Sequence, residues 1–215
     1  MTEILNTLAL YAFPVVFAIT LHEAAHGYVA KMFGDPTASM AGRVTLNPLR
    51  HIDPIGTIAV PVGILIASSA LGGAPMLFGW AKPVPVDFGR LRRPKKDMFW
   101  VALAGPGANL LMAIVWALCF RVLIQAAGPE DFWVQMCRAG VNINLVLMFL
   151  NLLPILPLDG GRVLFSLLPN KLAWEYGKLE PYGMLIVIGL LATGALSVIL
   201  DPLIELGYAF LRLFL

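Results

Sequence analysis

The sequence predicts an all-α polytopic membrane protein, and three observations predict it. Of 215 residues, 59% are hydrophobic and only 13% are charged, whereas a soluble domain is about half apolar and about a quarter charged. Mean hydropathy is +0.82. The apolar residues gather in runs near the roughly 20 residues needed to cross about 30 Å of hydrocarbon, so about 4–6 transmembrane helices fit with short connections. No sizeable soluble domain fits beside them. Cys119 and Cys137 are the only cysteines, which excludes a disulfide scaffold and a cysteine metal cluster. A net charge of +2 is too small to imply a nucleic-acid partner.

The first apolar stretch, about residues 4–33, has no Lys or Arg ahead of it and no small-residue cleavage site before His22-Glu23. It reads as a retained span rather than a signal peptide. Two pieces then read as extended, residues 42–48 and residues 82–88. Alternating Pro83-Val84-Pro85-Val86 excludes a helix interior, and proline confines such pieces to sheet edges, so short membrane-associated β strands are expected. Further spans fall at about residues 98–127 and 139–157. The last apolar region, 181–215, is interrupted at Asp201-Pro202, where the chain can turn or kink.

Residues 55–71 are ambiguous, and positive charge arbitrates. Lys31, Arg43 and Arg50 precede them, while Lys82, Arg90, Arg92, Arg93, Lys95 and Lys96 follow. A full crossing would put these two basic connections on opposite sides of the bilayer, against the cytoplasmic excess of Lys and Arg. A re-entrant or laterally packed segment is therefore expected, with every basic connection cytoplasmic. Backbone of that kind is tolerated at membrane depth only beside protein or a water-filled cavity, which hints at an interior site. No repeat or linker divides the chain, so one membrane domain over residues 1–215 is expected.

His22-Glu23-Ala24-Ala25-His26 is the most informative string. Positions four apart share one face of a helix, so both imidazoles can reach one ion while Glu23 approaches a water bound to it. This is the H-E-x-x-H pattern of zinc hydrolases. The chain has 3 histidines, and two of them sit here inside an apolar span, where ionisable groups are functional by default. The structural alternative is a buried polar pair between helices. Haem is disfavoured, because two histidines on one helix face cannot take opposite axial positions.

A catalytic zinc takes three protein ligands and keeps one position open, so a third ligand is required. The sequence offers His51, Asp53, Asp159 and Cys119. Asp159 lies in Asn151-Leu152-Leu153-Pro154-Ile155-Leu156-Pro157-Leu158-Asp159-Gly160-Gly161-Arg162. Its prolines break the span near its end, and its glycine pair permits close backbone approach.

The His22–His26 motif, Gly105-Pro106-Gly107-Ala108-Asn109 and the string from Asn151 to Gly161 together resemble the site-2 protease family of intramembrane zinc metalloproteases, peptidase family M50. The resemblance covers about residues 21–162, with the motifs in the family's order. It implies that His22, His26 and Asp159 bind one Zn2+ per chain, selecting Asp159 over His51. It implies that Glu23 is the general base and that Asn151 orients substrate or stabilises the oxyanion. Single-span membrane proteins with helix-weakening residues are the implied substrates, often already trimmed by another protease. A bacterial cytoplasmic membrane, with the active site toward the cytoplasm, is the expected location.

The sequence departs from larger members in lacking a PDZ-like domain and a span before the motif helix, so screening by such a module is not expected. The two extended pieces resemble strands that receive substrate as an added strand, a mode resting on main-chain hydrogen bonds. An ordinary surface loop is the alternative for each. His51 fits a structural role best, since Asp53-Pro54 is a frequent helix start. Gly105 and Gly107 fit close packing between spans, and the basic residues from Arg90 to Lys96 fit a lipid-headgroup anchor.

Two readings of other classes compete. A zinc or proton transporter would spread its ligands along a route through several spans, whereas here they concentrate in one motif. A non-catalytic adaptor with structural zinc would close the site with four protein ligands, and only three are convincing.

Overall fold

The computed structural model describes residues 2–60, 63 and 82–214, and these are helical with irregular connections. Helix α1 spans Thr2–Met32 and carries the buried Pro14 inside it. A short α2, Thr37–Met40, follows. Helix α3, Pro94–Ala127, starts with proline at its first position, and Asp97 accepts from the Arg93 amide at 2.7 Å. Proline there loses no intrahelical hydrogen bond, and the carboxylate satisfies a donor that the helix leaves orphaned. Helix α4, Phe132–Asn151, is capped by Asp131, which accepts from the amides of Trp133 and Val134. Four shorter α-helices follow α4 among the described residues: α5 (Asp159–Leu167), α6 (Asn170–Gly177), α7 (Glu180–Ala192) and α8 (Ala195–Leu211).

Among the described residues, three helical stretches are long and apolar enough to cross a membrane: Ala9–Met32, Pro94–Ala127 and Phe132–Asn151. A fourth crossing exists if Glu180–Ala192 and Ala195–Phe214, bent by 85° at the break between them, act as one span. That break differs from the one expected at Asp201-Pro202. Gly194 takes φ +74°, a conformation glycine adopts at little steric cost, and the Thr193 hydroxyl bonds back to Gly189. Pro202 lies inside α8 instead.

Helix α3 is the centre of the molecule, packed on α1, α4 and α5. Ala113 and Ala117 of α3 meet Val141, Leu145 and Met148 of α4 and Leu211 of α8. Alanines at this seam let the backbones approach closely, as helix pairs in lipid require. After α4 the chain folds back sharply into α5. A Cβ on Gly160 would lie 2.1 Å from the Leu152 carbonyl oxygen, and one on Gly161 would lie 2.5 Å from the Leu156 nitrogen. Only glycine fits this approach, and the turn so made sets Asp159 at the first position of α5.

The short strands expected over 42–48 and 82–88 are not found among the described residues. The physical reason is visible in the second piece. Pro83 and Pro85 have no amide to donate, and three remaining amides have partners outside any strand: Lys82 donates to the His51 carbonyl at 2.9 Å, Val84 to Glu23 Oε2 at 2.7 Å and Asp87 to Asp35 Oδ2 at 2.7 Å. The segment expected to be re-entrant or laterally packed, 55–71, lies mostly outside the described residues. Its beginning is a single wide helical turn, Pro54–Ala59, whose Ile55 amide donates to the Asp53 side chain.

Candidate metal centre

Helix α1 places His22 and His26 one turn apart on a buried face, with their Nε2 atoms 3.1 Å apart. Each ring is held through its other nitrogen. His22 Nδ1 is 2.6 Å from Asn109 Oδ1, and His26 Nδ1 is 2.7 Å from the Val101 carbonyl oxygen. Both partners are on α3, and both are acceptors. Each Nδ1 must therefore carry a hydrogen, so in the neutral ring the lone pair sits on Nε2.

The turn after α4 brings Asp159 to the same point. Its Oδ2 is 3.1 Å from His22 Nε2 and 3.3 Å from His26 Nε2. Three acceptor atoms thus form a near-equilateral triangle, and Asp159 Oδ2 is buried with no hydrogen-bond donor. Such a triangle is repulsive unless something positive lies at its centre. A tetrahedral zinc with ligands at about 2.0–2.1 Å has ligand-to-ligand edges of about 3.3 Å, so these residues fit zinc with one corner open. Among the described residues this is the one group of three His, Cys, Asp or Glu side chains arranged to hold an ion.

Gly105 makes that fit possible. A Cβ there would lie 2.4 Å from His26 Nε2 and 2.6 Å from His22 Nε2, so the α3 main chain touches both rings. The close-packing reading of Gly105 holds, and what it packs against is the candidate site.

Glu23 lies between the two histidines on α1 and accepts from the Val84 amide through Oε2. Val84 also packs around Gly27, one turn further on, together with Val44 and Ala38. The segment is tied down a second time at Asp35, which is fully buried and accepts from the Asp87 amide and from the Thr37 amide and hydroxyl. Burial works to raise the Asp35 pKa, but these hydrogen bonds and the Arg90 charge outweigh it and hold the carboxyl below its ordinary value.

The remaining sequence candidates separate. Asn151 ends α4, and its amide nitrogen donates back to the Leu147 carbonyl at 2.9 Å, leaving a second N–H for other work. His51 is buried, but its Nε2 pairs with the Thr45 carbonyl oxygen at 3.1 Å, so it ties the loop after α2 and stands outside the triangle. Asp53 starts the Pro54 turn, and Cys119 is an exposed residue of α3. Sequence reasoning gave no role to Asn109 itself, nor to Asn144, Val101 or Asp35. The two asparagines carried a usable signal: an amide side chain inside an apolar span needs a partner.

Among the described residues, three membrane-length helices and an interior His–His–carboxylate cluster define a membrane protein arranged to hold a metal ion. Comparison with known proteins narrows it. The model of Peptidase family M50 matches residues 125–191. Over 199 residues the chain is 37% identical to YwhC of Bacillus subtilis, which bears a zinc metalloprotease name, and the match covers 90% of this chain and 84% of that protein. It is 32% identical over 182 residues to Rip2 of Mycolicibacterium smegmatis, also named as a zinc metalloprotease, covering 85% of this chain and 66% of the relative. An 84-residue match at 37% identity to Stage IV sporulation protein FB of Bacillus subtilis covers 39% of this chain and 26% of that protein. No solved structure matches the chain. The chain belongs to peptidase family M50, the site-2 protease family. It is an integral membrane metalloprotease.

Proposed function

We propose that the chain is an intramembrane endopeptidase, cutting peptide bonds within or near the transmembrane segments of membrane proteins, and that residues 1–215 act as one domain. The observation that carries this reading is the triangle of His22 Nε2, His26 Nε2 and Asp159 Oδ2, closed to 3.1–3.3 Å among apolar helices. His22, His26 and Asp159 are the residues that would hold the ion. Bound zinc supplies Lewis acidity, bringing the pKa of water down to about 7 and polarising a peptide carbonyl.

Glu23 takes the proton from the attacking water and delivers it to the leaving amine. The Val84 amide fixes one oxygen of that carboxylate, which limits the rotamers through which the base can wander. Asn151 offers its second N–H to the developing oxyanion, a contact of a kind worth roughly 3 kcal/mol when a donor is removed. The substrate must arrive unwound, because helical hydrogen bonds shield the scissile amide. This favours single-span proteins with helix-weakening residues. Lys82, Arg90, Arg92, Arg93, Lys95 and Lys96 lie around the segment that binds Glu23, and the cytoplasmic excess of basic residues supports a cytoplasm-facing site in a bacterial cytoplasmic membrane.

Glu23→Gln tests the assignment in purified protein reconstituted with a single-span substrate. The variant keeps about one zinc per chain and loses cleavage. Cleavage by Glu23→Gln removes Glu23 as the base, and zinc transport by a wild type that cuts nothing replaces the protease reading with a transporter.

A further inference from the structure

Behind His22 lies a polar chain that crosses three helices. Asn109 of α3 accepts from His22 Nδ1 at 2.6 Å and donates through Nδ2 to Asn144 Oδ1 of α4 at 3.0 Å. Asn144 in turn donates through its own Nδ2 to the Gly140 carbonyl at 2.8 Å. Both asparagine side chains are fully buried, at 0% exposure. Every amide in such a chain can in principle be turned over, but the far end fixes the direction. The Gly140 carbonyl only accepts, so Asn144 must present its nitrogen there and its oxygen to Asn109. Asn109 must then donate toward Asn144 and present its oxygen to His22. The Ala18 carbonyl oxygen, 3.5 Å from Asn109 Nδ2, favours the same orientation. His22 is left one arrangement: hydrogen on Nδ1, lone pair on Nε2.

We propose that Asn109 and Asn144 are positioning residues, a relay that uses a main-chain carbonyl of α4 to select the metal-binding tautomer of His22 and hold its ring in place. Asn144 never touches the imidazole and acts only through Asn109. The inference rests on His22 being a zinc ligand. It gives the two buried amides a purpose that their packing does not, since small apolar residues would fill the seam between α3 and α4 without polar groups to satisfy. His26, held by the Val101 carbonyl, needs no such relay, so the effect falls on one ligand alone.

Zinc affinity measured by chelator competition on the intact, detergent-purified protein tests the relay without reading activity. Asn109→Leu weakens zinc binding about 10- to 100-fold, the range found when a metal ligand loses its orienting partner. Asn109→Asp restores part of it, because a carboxylate oxygen still accepts from His22 Nδ1 even though nothing remains to donate to Asn144 Oδ1. Asn144→Leu weakens binding about tenfold, and combined with Asn109→Leu it adds nothing further. Wild-type affinity in a folded Asn109→Leu protein overturns the proposal, as does full additivity of the two leucine substitutions. Nitrogen-15 NMR of histidine-labelled, zinc-free wild type gives a second measurement that no folding defect can obscure. His22 with its hydrogen on Nδ1 supports the relay, and His22 with it on Nε2 overturns it. A wild type that binds no zinc defeats the metal assignment instead, and the tautomer measurement still decides the relay.

Discussion

The Val84 amide donates to Glu23 Oε2 at 2.7 Å across 61 positions of sequence. An irregular, proline-rich segment is thereby bonded to the carboxylate proposed as the base. Val84→Pro deletes that donor while preserving the extended backbone, whereas Val84→Ala retains it. A hydrogen bond to a charged group contributes about 1.5–3 kcal/mol, so the proline variant loses about tenfold or more in cleavage rate and the alanine variant stays near wild type. Equal rates in the two, measured on one reconstituted substrate, would show that Glu23 is held by something else.

Asp159 and His51 give opposite results when truncated. Asp159→Ala removes one corner of the triangle and lowers zinc content well below one per chain. His51→Ala leaves zinc content unchanged and loosens the contact with the Thr45 carbonyl. Metal analysis after dialysis against a weak chelator distinguishes the two, and a reversal would exchange their roles.

Gly160→Ala is expected to damage the centre without touching a ligand. Its methyl group would sit 2.1 Å from the Leu152 carbonyl oxygen, so the first turn of α5 must move and carry Asp159 with it. Zinc affinity falls at least about tenfold, since ligand placement within about 0.5 Å is required of such sites. Retention of wild-type affinity by a folded Gly160→Ala protein would show that the turn has slack.

Asp35 makes stability depend on pH in a stated direction. Its carboxyl is held below the ordinary value of 3.8, so the folded state prefers the ionised form. That contribution is complete above the unfolded value and is lost as pH falls through the lower native one. Asp35→Ala is less stable than wild type by about 1–3 kcal/mol at pH 7, and the gap narrows on acidification below about pH 4. Thermal unfolding in detergent at several pH values measures it; a gap that widens in acid would reverse the assignment.

Local spacing made the α1 motif legible, because two histidines four apart need only a helix to share a face. The turn at Leu158-Asp159-Gly160 was legible from its nearby prolines and glycines, but spacing left His51, Asp53 and Cys119 beside Asp159 as third ligands, and the family resemblance made the choice. Contacts between distant positions were not legible. Nothing near Val84 announces that its amide meets Glu23, and the alternation of proline and valine suggested strand pairing when the partner of the Val84 amide is a carboxylate. The bend in the last apolar region was misplaced because proline is a stronger sequence mark than Thr193-Gly194, yet α8 accommodates Pro202. Asn109 and Asn144 stand 35 positions apart, and only the packing of α3 on α4 joins them.

Where α3 meets the two imidazoles, it presents the bare Gly105 main chain. Main chain has no rotamers to exchange, so this side of the chamber cannot swing outward for a bulky guest. It acts as an anvil: any clearance for an incoming polypeptide has to open elsewhere around the histidines, by displacing side chains or sliding a whole helix.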